Sequence, residues 1–236
     1  MSTRSPHRPS PHEDSPHIIC TVDVVALTLI ATRLHVALLQ RAQPPAQGDW
    51  ALPGGYVHAQ TDADTSAAAR RVLADKLGMH GVYLEQLATF SGPRRDPRGW
   101  SLSVAHCALL PADALPAQGP AGAIRWVDVQ QLPGLPFDHA AIVAAALARV
   151  RNKSQYSSLP VHLCGEQFTL PQLQAVYEAV LGDTLNKVSF RRKMDDMGLL
   201  EAVPGAMLTG AAHRPAQFWR VRPAYRQHLA VTPRGL

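Results

Sequence analysis

From Ile18 the chain reads IICTVDVVALTLI, a near-continuous run of β-branched and aliphatic residues. After a short turn RLHVALLQR follows, with Leu34, Val36 and Leu38 in alternation. These two segments form a strand pair, and everything around them must be accommodated to it. Upstream, MSTRSPHRPSPHEDSPH carries four prolines and almost nothing to bury. Such a segment cannot offset the entropy of ordering, so residues 1–17 are expected to form a disordered arm. Downstream come a Pro/Gln/Gly loop from Gln43 to Asp49, a short strand Trp50-Ala51-Leu52 and the turn Pro53-Gly54-Gly55. Good helix formers from Thr65 to Leu77, stopped at Gly78, predict a helix.

Strand signals return in YLEQLATF, WSLSVAHCALL and IRWVDV, and Phe137 to Val150 reads as a helix that Asp138 can cap. RNKSQYSSLP, polar and closed by a proline, is a linker signal. A length of 236 residues is long for one compact core, which agrees with a division here. The first domain is expected over residues 18–153 and the second over 160–230. In the second, Thr169 precedes Leu170-Pro171, and Leu173, Val176, Tyr177, Val180 and Leu181 follow at helical spacing up to Gly182. A second helix is predicted from Asn186 to Met197, with Val188, Phe190, Met194 and Met197 available for burial. GLLEAV and AQFWRVRP then read as two strands around a loop. Helix, turn, basic helix and hairpin is the order of a winged helix-turn-helix.

The net charge of +5 is unevenly placed. After Asn186 nine cations face three acids, a balance of +6, whereas the preceding fourteen cations and fifteen acids leave −1. The excess points to a polyanion for the C-terminal end alone. No stretch approaches the roughly 20 apolar residues of a membrane span, and the N-terminus lacks an apolar signal core, so a cytoplasmic protein without a membrane partner is expected. Cys20, Cys107 and Cys164 are odd in number and widely spaced, which implies neither a disulfide framework nor a zinc site. No metal site is expected among the histidines either.

The segment GGYVHAQTDADTSAAARRVLADKLGM resembles the Nudix box, usually G-x5-E-x7-R-E-U-x-E-E-x-G-U with U apolar. In the enzymes its glutamates hold the magnesium that neutralises a substrate pyrophosphate. Aligned on Gly78, Arg71 falls on the motif arginine, Val72 on the glutamate beside it, and Asp75 and Lys76 on the glutamate pair. The spacing from Gly55 to Gly78 is two residues longer than the motif, and Asp62 or Asp64 lies near its first glutamate. A lysine ammonium at position 76 repels a metal, so no catalytic residue and no cofactor are expected. Trp50-Ala51-Leu52-Pro53-Gly54-Gly55 and RRDPRGWSLSVAHCALLP resemble Nudix proteins that recognise ADP-ribose or related dinucleotides. Combined with FTLPQLQAVYEAVLG and FRRKMDDMGLL, the chain resembles the NrtR family of Nudix-related transcriptional regulators over about residues 18 to 222.

The resemblance implies an α+β protein, an N-terminal Nudix-like α/β/α sandwich followed by a C-terminal winged helix-turn-helix. It also implies repression of genes of NAD biosynthesis or of sugar or nucleotide metabolism, with a dinucleotide-derived effector. Arg94, Arg95 and Arg98 in one loop can offer guanidinium forks to a pyrophosphate, with Arg41 a further ligand candidate. Trp100 either stacks on an adenine or covers the sheet edge, and Arg71 is read as structural. On the second helix Asn186, Lys187, Ser189, Arg191, Arg192 and Lys193 are the candidate contacts to double-stranded DNA, with Arg214 and Arg220 in the wing. The expected assembly is a homodimer on a palindromic operator, released or tightened by ADP-ribose or a related nucleotide. The competing readings are a Nudix pyrophosphatase with an accessory basic domain and a constitutive DNA-binding protein that the Nudix domain merely dimerises.

Overall fold

The computed structural model describes residues 18–116, 118–210, 213–226 and 228–232, without the side chains of 209, 210, 213 and 214. The arm expected over residues 1–17 lies outside the described residues. Strands β1 (Ile19–Ile30) and β2 (Arg33–Gln40) form an antiparallel hairpin with Leu27 opposite Val36. Its two turn residues, Ala31 and Thr32, take φ of 47° and 65°, the left-handed pair whose twist matches the flanking strands. Strands β3 (Trp50–Ala51) and β4 (Gly54–Tyr56) add to β2 and β1 respectively. Helix α1 (Thr65–Val72) is capped by Asp64, whose carboxylate accepts from the Ala67 N–H at 2.7 Å. It continues through a wider turn, Leu73–Leu77, to Gly78 at φ 68°.

Strands β5 (Tyr83–Gly92), β6 (Ser101–Leu109), β7 (Gln118–Gly119) and β8 (Gly122–Asp128) complete a sheet ordered β5-β6-β1-β2-β8-β7, in which β1 and β6 run parallel. Helix α2 (His139–Ser154) closes the domain. Val22, Val24 and Ala26 face α1, with Val72, Leu73 and Leu77, whereas Val25 and Leu27 face α2, with Ile142, Ala146 and Val150. The apolar run in β1 is continuous because both faces of that strand are covered. This is the α/β/α sandwich.

In the second domain β9 (Phe168–Thr169) leads into α3 (Leu170–Leu181), where Thr169 and Gln172 form a reciprocal capping box. Helix α4 (Lys187–Met197) follows, then β10 (Leu200–Gly210) and β11 (His213–Val221). The hairpin strands are longer than the sequence suggests, and β9 joins them as a third strand beside β11, completing the winged helix. Phe168, Leu173, Tyr177, Phe190, Met194 and Leu199 fill its core. Val188, expected to be available for burial, is instead 77% exposed on the first turn of α4.

The linker reading is corrected in one respect. Helix α2 runs on to Ser154, and Ser157, Ser158, Leu159 and Pro160 are buried. The serines tolerate burial because their polar groups are used locally. The Ser157 hydroxyl donates to the Lys153 carbonyl at 2.7 Å, the Tyr177 hydroxyl donates to the Ser157 carbonyl at 3.0 Å, and Ser158 Oγ accepts from the Ala230 N–H at 2.9 Å. Leu159, Leu163 and Val180 then join the α2 side of the first domain's core, with Val176 and Ala179 packed against it. The two domains therefore share apolar core rather than hang on a tether. Among the described residues no helix is long and apolar enough to cross a membrane.

At this junction His162 stacks on Tyr83, ring centroids 4.3 Å apart. Burial pushes its imidazole pKa down to about 4, against the opposing charge of Glu85, from an ordinary value near 6.5. Between those values the unfolded chain takes up a proton that the folded chain excludes. Stability contributed by neutral His162 is thus intact above about pH 6.5 and is lost as pH falls toward 4. Urea midpoints measured between pH 4 and 7 should fall more steeply for wild type than for His162→Phe, and parallel curves would assign the acid sensitivity to other groups.

Candidate functional site

A cleft of about 340 Å³ opens where β1 and β2 meet the β3–β4 turn, the last turn of α1, the arginine loop and the start of α2. Its floor is organised by Asp23, a buried carboxylate on β1. Ser103 Oγ donates to Asp23 Oδ2 at 2.6 Å, and the Arg95 guanidinium lies 3.5 Å from the same oxygen. His139 Nδ1 accepts the Leu52 N–H at 3.1 Å, which places the ring proton on Nε2, 3.5 Å from Asp23 Oδ1. Burial by itself raises the pKa of Asp23, but the hydrogen bonds from His139 and Ser103 and the charge of Arg95 outweigh it and hold the carboxylate ionised. Gly54 is required beside it, because a Cβ there would lie 2.2 Å from Asp23 Oδ1 and 2.9 Å from the Val22 carbonyl.

The three loop arginines part company. Arg95 turns inward, its side chain 8% exposed, and spends its fork on Asp138 with two 2.9 Å hydrogen bonds. That is why Asp138 makes no side-chain cap on α2. Arg98 lies at the cleft mouth, forked onto Asp96, hydrogen-bonded to the Tyr56 hydroxyl and 5.3 Å from the Tyr56 ring centroid. Its hydrogen bonds keep the buried Asp96 carboxyl below the usual range. Arg94 and Trp100 are exposed and do not line the cleft. Arg41 does line it, donating to the Pro45 carbonyl at 2.8 Å and lying over the Phe137 ring at 4.9 Å. Asp23, Tyr56, Phe137 and His139 escaped sequence reading because each looks like an ordinary strand, turn or helix residue until the chain brings them together.

The carboxylates that would hold magnesium are missing from the described residues. Val72 is part of the apolar core and packs 3.4 Å from where a Cβ on Gly55 would sit. Asp75 is 64% exposed and faces Arg71 at 3.9 Å. Asp62 is forked by Arg71 at 2.9 and 2.7 Å and accepts the His58 N–H at 2.8 Å, interactions that hold its pKa well below the usual carboxylate range. Arg71 also donates to the Tyr56 carbonyl at 2.9 Å, so it ties loop to helix. Lys76 lines the cleft instead. No group of three or more His, Cys, Asp or Glu placed to hold a metal occurs among the described residues. This donor set does not fit a divalent cation.

The second candidate surface is α4. Lys187, Ser189, Arg191 and Arg192 are exposed and Lys193 is half-buried, all on one helix whose opposite side carries Phe190, Met194 and Met197 into the core. The Asn186 carboxamide oxygen is occupied as the cap, accepting from the Val188 and Ser189 N–H groups at 3.1 and 3.0 Å. Val188 stands among the cations as an exposed apolar group, a position that helical periodicity alone did not distinguish from core. Arg220 is paired with its cross-strand neighbour Glu201 at 2.7 Å. The side chain of Arg214 lies outside the described residues.

Comparison with known proteins follows this division. A NUDIX domain model matches residues 21–150, and an NrtR DNA-binding winged helix domain model matches residues 160–221. The chain is 38% identical over 203 residues to the ADPR responsive transcriptional repressor NtrR of Acinetobacter baylyi, covering 85% of this chain and 80% of that protein. It superposes on Shewanella oneidensis NrtR in complex with a 27mer DNA with a TM-score of 0.82 and 35% identity, over 92% of this chain and 99% of the other. The NUDIX domain of the Shewanella protein in complex with ADP ribose aligns with a TM-score of 0.53 and 33% identity, over 59% and 93% of the two chains. Sandwich, winged helix and their joint match to these proteins place the chain in the NrtR family of Nudix-related transcriptional regulators.

Proposed function

We propose that this chain is a cytoplasmic, homodimeric repressor of NAD-metabolism genes. Its cleft binds ADP-ribose or a related NAD metabolite without hydrolysing it, and its α4 helices enter the grooves of a palindromic operator. The observation that carries this reading is a cleft lined by Arg41, which has no carboxylate partner among the described residues, while the metal carboxylates of the hydrolases are replaced by Val72 and Lys76. The relative that responds to ADPR and the Shewanella complexes with DNA and with ADP ribose support the same pairing of ligand and operator. Within the protomer α2 begins at the cleft with His139 and packs against α3 further along, so one rigid element touches both the ligand site and the DNA-binding domain. A ligand that favours one dimer geometry by about 1 to 3 kcal/mol changes operator affinity about 5- to 150-fold.

ADP-ribose should raise the melting temperature, because a ligand that binds the native state stabilises it. In magnesium, at high protein concentration, no AMP should be released. Steady turnover that scales with protein and disappears in Asp75→Asn would establish a pyrophosphatase instead. Titrated into a labelled operator complex, ADP-ribose should release the DNA, and unchanged affinity at saturation would remove it as the effector.

On the DNA side Arg191 and Arg192 should pair with phosphates or base edges. For every phosphate that the double alanine variant no longer neutralises, the salt slope should fall by about 0.9. Val188 presents the apolar group suited to a thymine methyl, so Val188→Ser should weaken operator binding and relax preference at one base while leaving the slope unchanged. A folded double alanine variant with wild-type affinity and slope would show that α4 is not the reader.

A further inference from the structure

Cleft charges do not balance, and the imbalance is concentrated in two side chains. Four cations line it, Arg41, Lys76, Arg95 and Arg98, with two carboxylates, Asp23 and Asp96. Arg95 is consumed by Asp138 and Asp23, and Arg98 by Asp96. Among the described residues Arg41 donates to backbone carbonyls and has no carboxylate partner, while the Lys76 ammonium makes neither a hydrogen bond nor an ion pair. The nearby carboxylates are engaged elsewhere, Asp23 by Ser103, His139 and Arg95, and Asp75 by Arg71. Strand β7 passes close beneath Lys76, since a Cβ on Gly119 would lie 2.1 Å from the Lys76 carbonyl oxygen. Burial lowers the pKa of Lys76, and the charges of Arg41 and Arg71 lower it further against the partial opposition of Asp23 and Asp75. Two like charges thus share one cleft, an arrangement that an anion relieves.

We propose that Lys76 and Arg41 form a metal-free diphosphate site, in which the Lys76 ammonium takes the role that a glutamate-bound divalent cation has in the Nudix hydrolases. This rests on the reading of the cleft as a nucleotide site and goes beyond it by naming what neutralises the diphosphate. The ammonium supplies positive charge and three donors to phosphate oxygens. Unlike a metal it presents no bound water to attack phosphorus, so the same substitution that creates the binding site removes the nucleophile. Lys76 thus contributes both to the loss of the metal site, together with Val72, and to metal-independent binding, together with Arg41.

Calorimetric titrations of the full-length protein, with EDTA and with magnesium, test this. Wild type should bind ADP-ribose equally in both buffers, and inorganic pyrophosphate should compete. Lys76→Met should weaken ADP-ribose about 10- to 100-fold, the range for losing a charge-assisted hydrogen bond, and Lys76→Arg should restore most of it. The unliganded Lys76→Met protein should melt no lower than wild type, because a repulsion has been removed; this separates a binding role from a structural one. Lys76→Met binding within about twofold of wild type in EDTA, or a wild type that binds only with magnesium, would overturn the proposal and leave the ligand reading intact. If wild type binds pyrophosphate through Lys76 but not ADP-ribose, the diphosphate site stands and the choice of effector fails. No binding of either by wild type overturns both.

Discussion

The buried carboxylate of Asp23 organises the floor of the cleft. Asp23 lies in the middle of the sheet, where an ionised group survives only if neighbours replace the water it has lost. Those neighbours come from four places: Ser103 on the adjacent parallel strand, Arg95 from the loop between β5 and β6, His139 at the start of α2, and Gly54, whose missing side chain makes room. Ser103, Arg95 and His139 therefore all converge on the same charge. Removing one partner from a buried ion pair costs about 3 to 5 kcal/mol, whereas an exposed pair is worth about 0 to 1. That difference decides the fate of Arg95, which stays on Asp138 and Asp23 and acts as a strut of the cleft rather than as a hand reaching for a ligand.

With the floor fixed, the cleft and the basic helix α4 become linked through shared core. The start of α2 is anchored through His139 at the cleft, and its length packs with residues of α3 and of the buried turn after Ser154. Helix α3 in turn shares a core with α4 through Tyr177 and Phe190, whose rings meet edge to face at 5.3 Å. Among the described residues the two domains are joined through shared apolar core.

Much of this was legible without coordinates. The alanine-rich helix ending at Gly78, the period of Leu173, Tyr177 and Val180, and the amphipathic α4 with Phe190, Met194 and Met197 inside all follow from local spacing. The replacement of metal ligands by Val72 and Lys76 is likewise a matter of residue identity. Arg94, Arg95 and Arg98 resisted ranking because their chemistry is identical and their loop is short. What distinguishes them is a set of carboxylates contributed from Asp23, Asp96 and Asp138, two of them far away along the chain. Val188 was misread for a related reason, since an apolar residue on the first turn of a helix has the same local pattern whether its face meets a core or a solvent-exposed surface.

By itself the sequence determined the kind of protein this is: two domains, a covered sheet, a degenerate metal box and a basic amphipathic helix, because composition, periodicity and motif identity are local properties written along the chain. The tertiary structure alone decided which charges are spent and which are free. Pairing depends on distances between residues that sequence separation does not encode. Through those distances Arg95 is buried on Asp138, Arg220 is tied to Glu201, and Lys76 and Arg41 are left facing the same cleft with no carboxylate partner among the described residues.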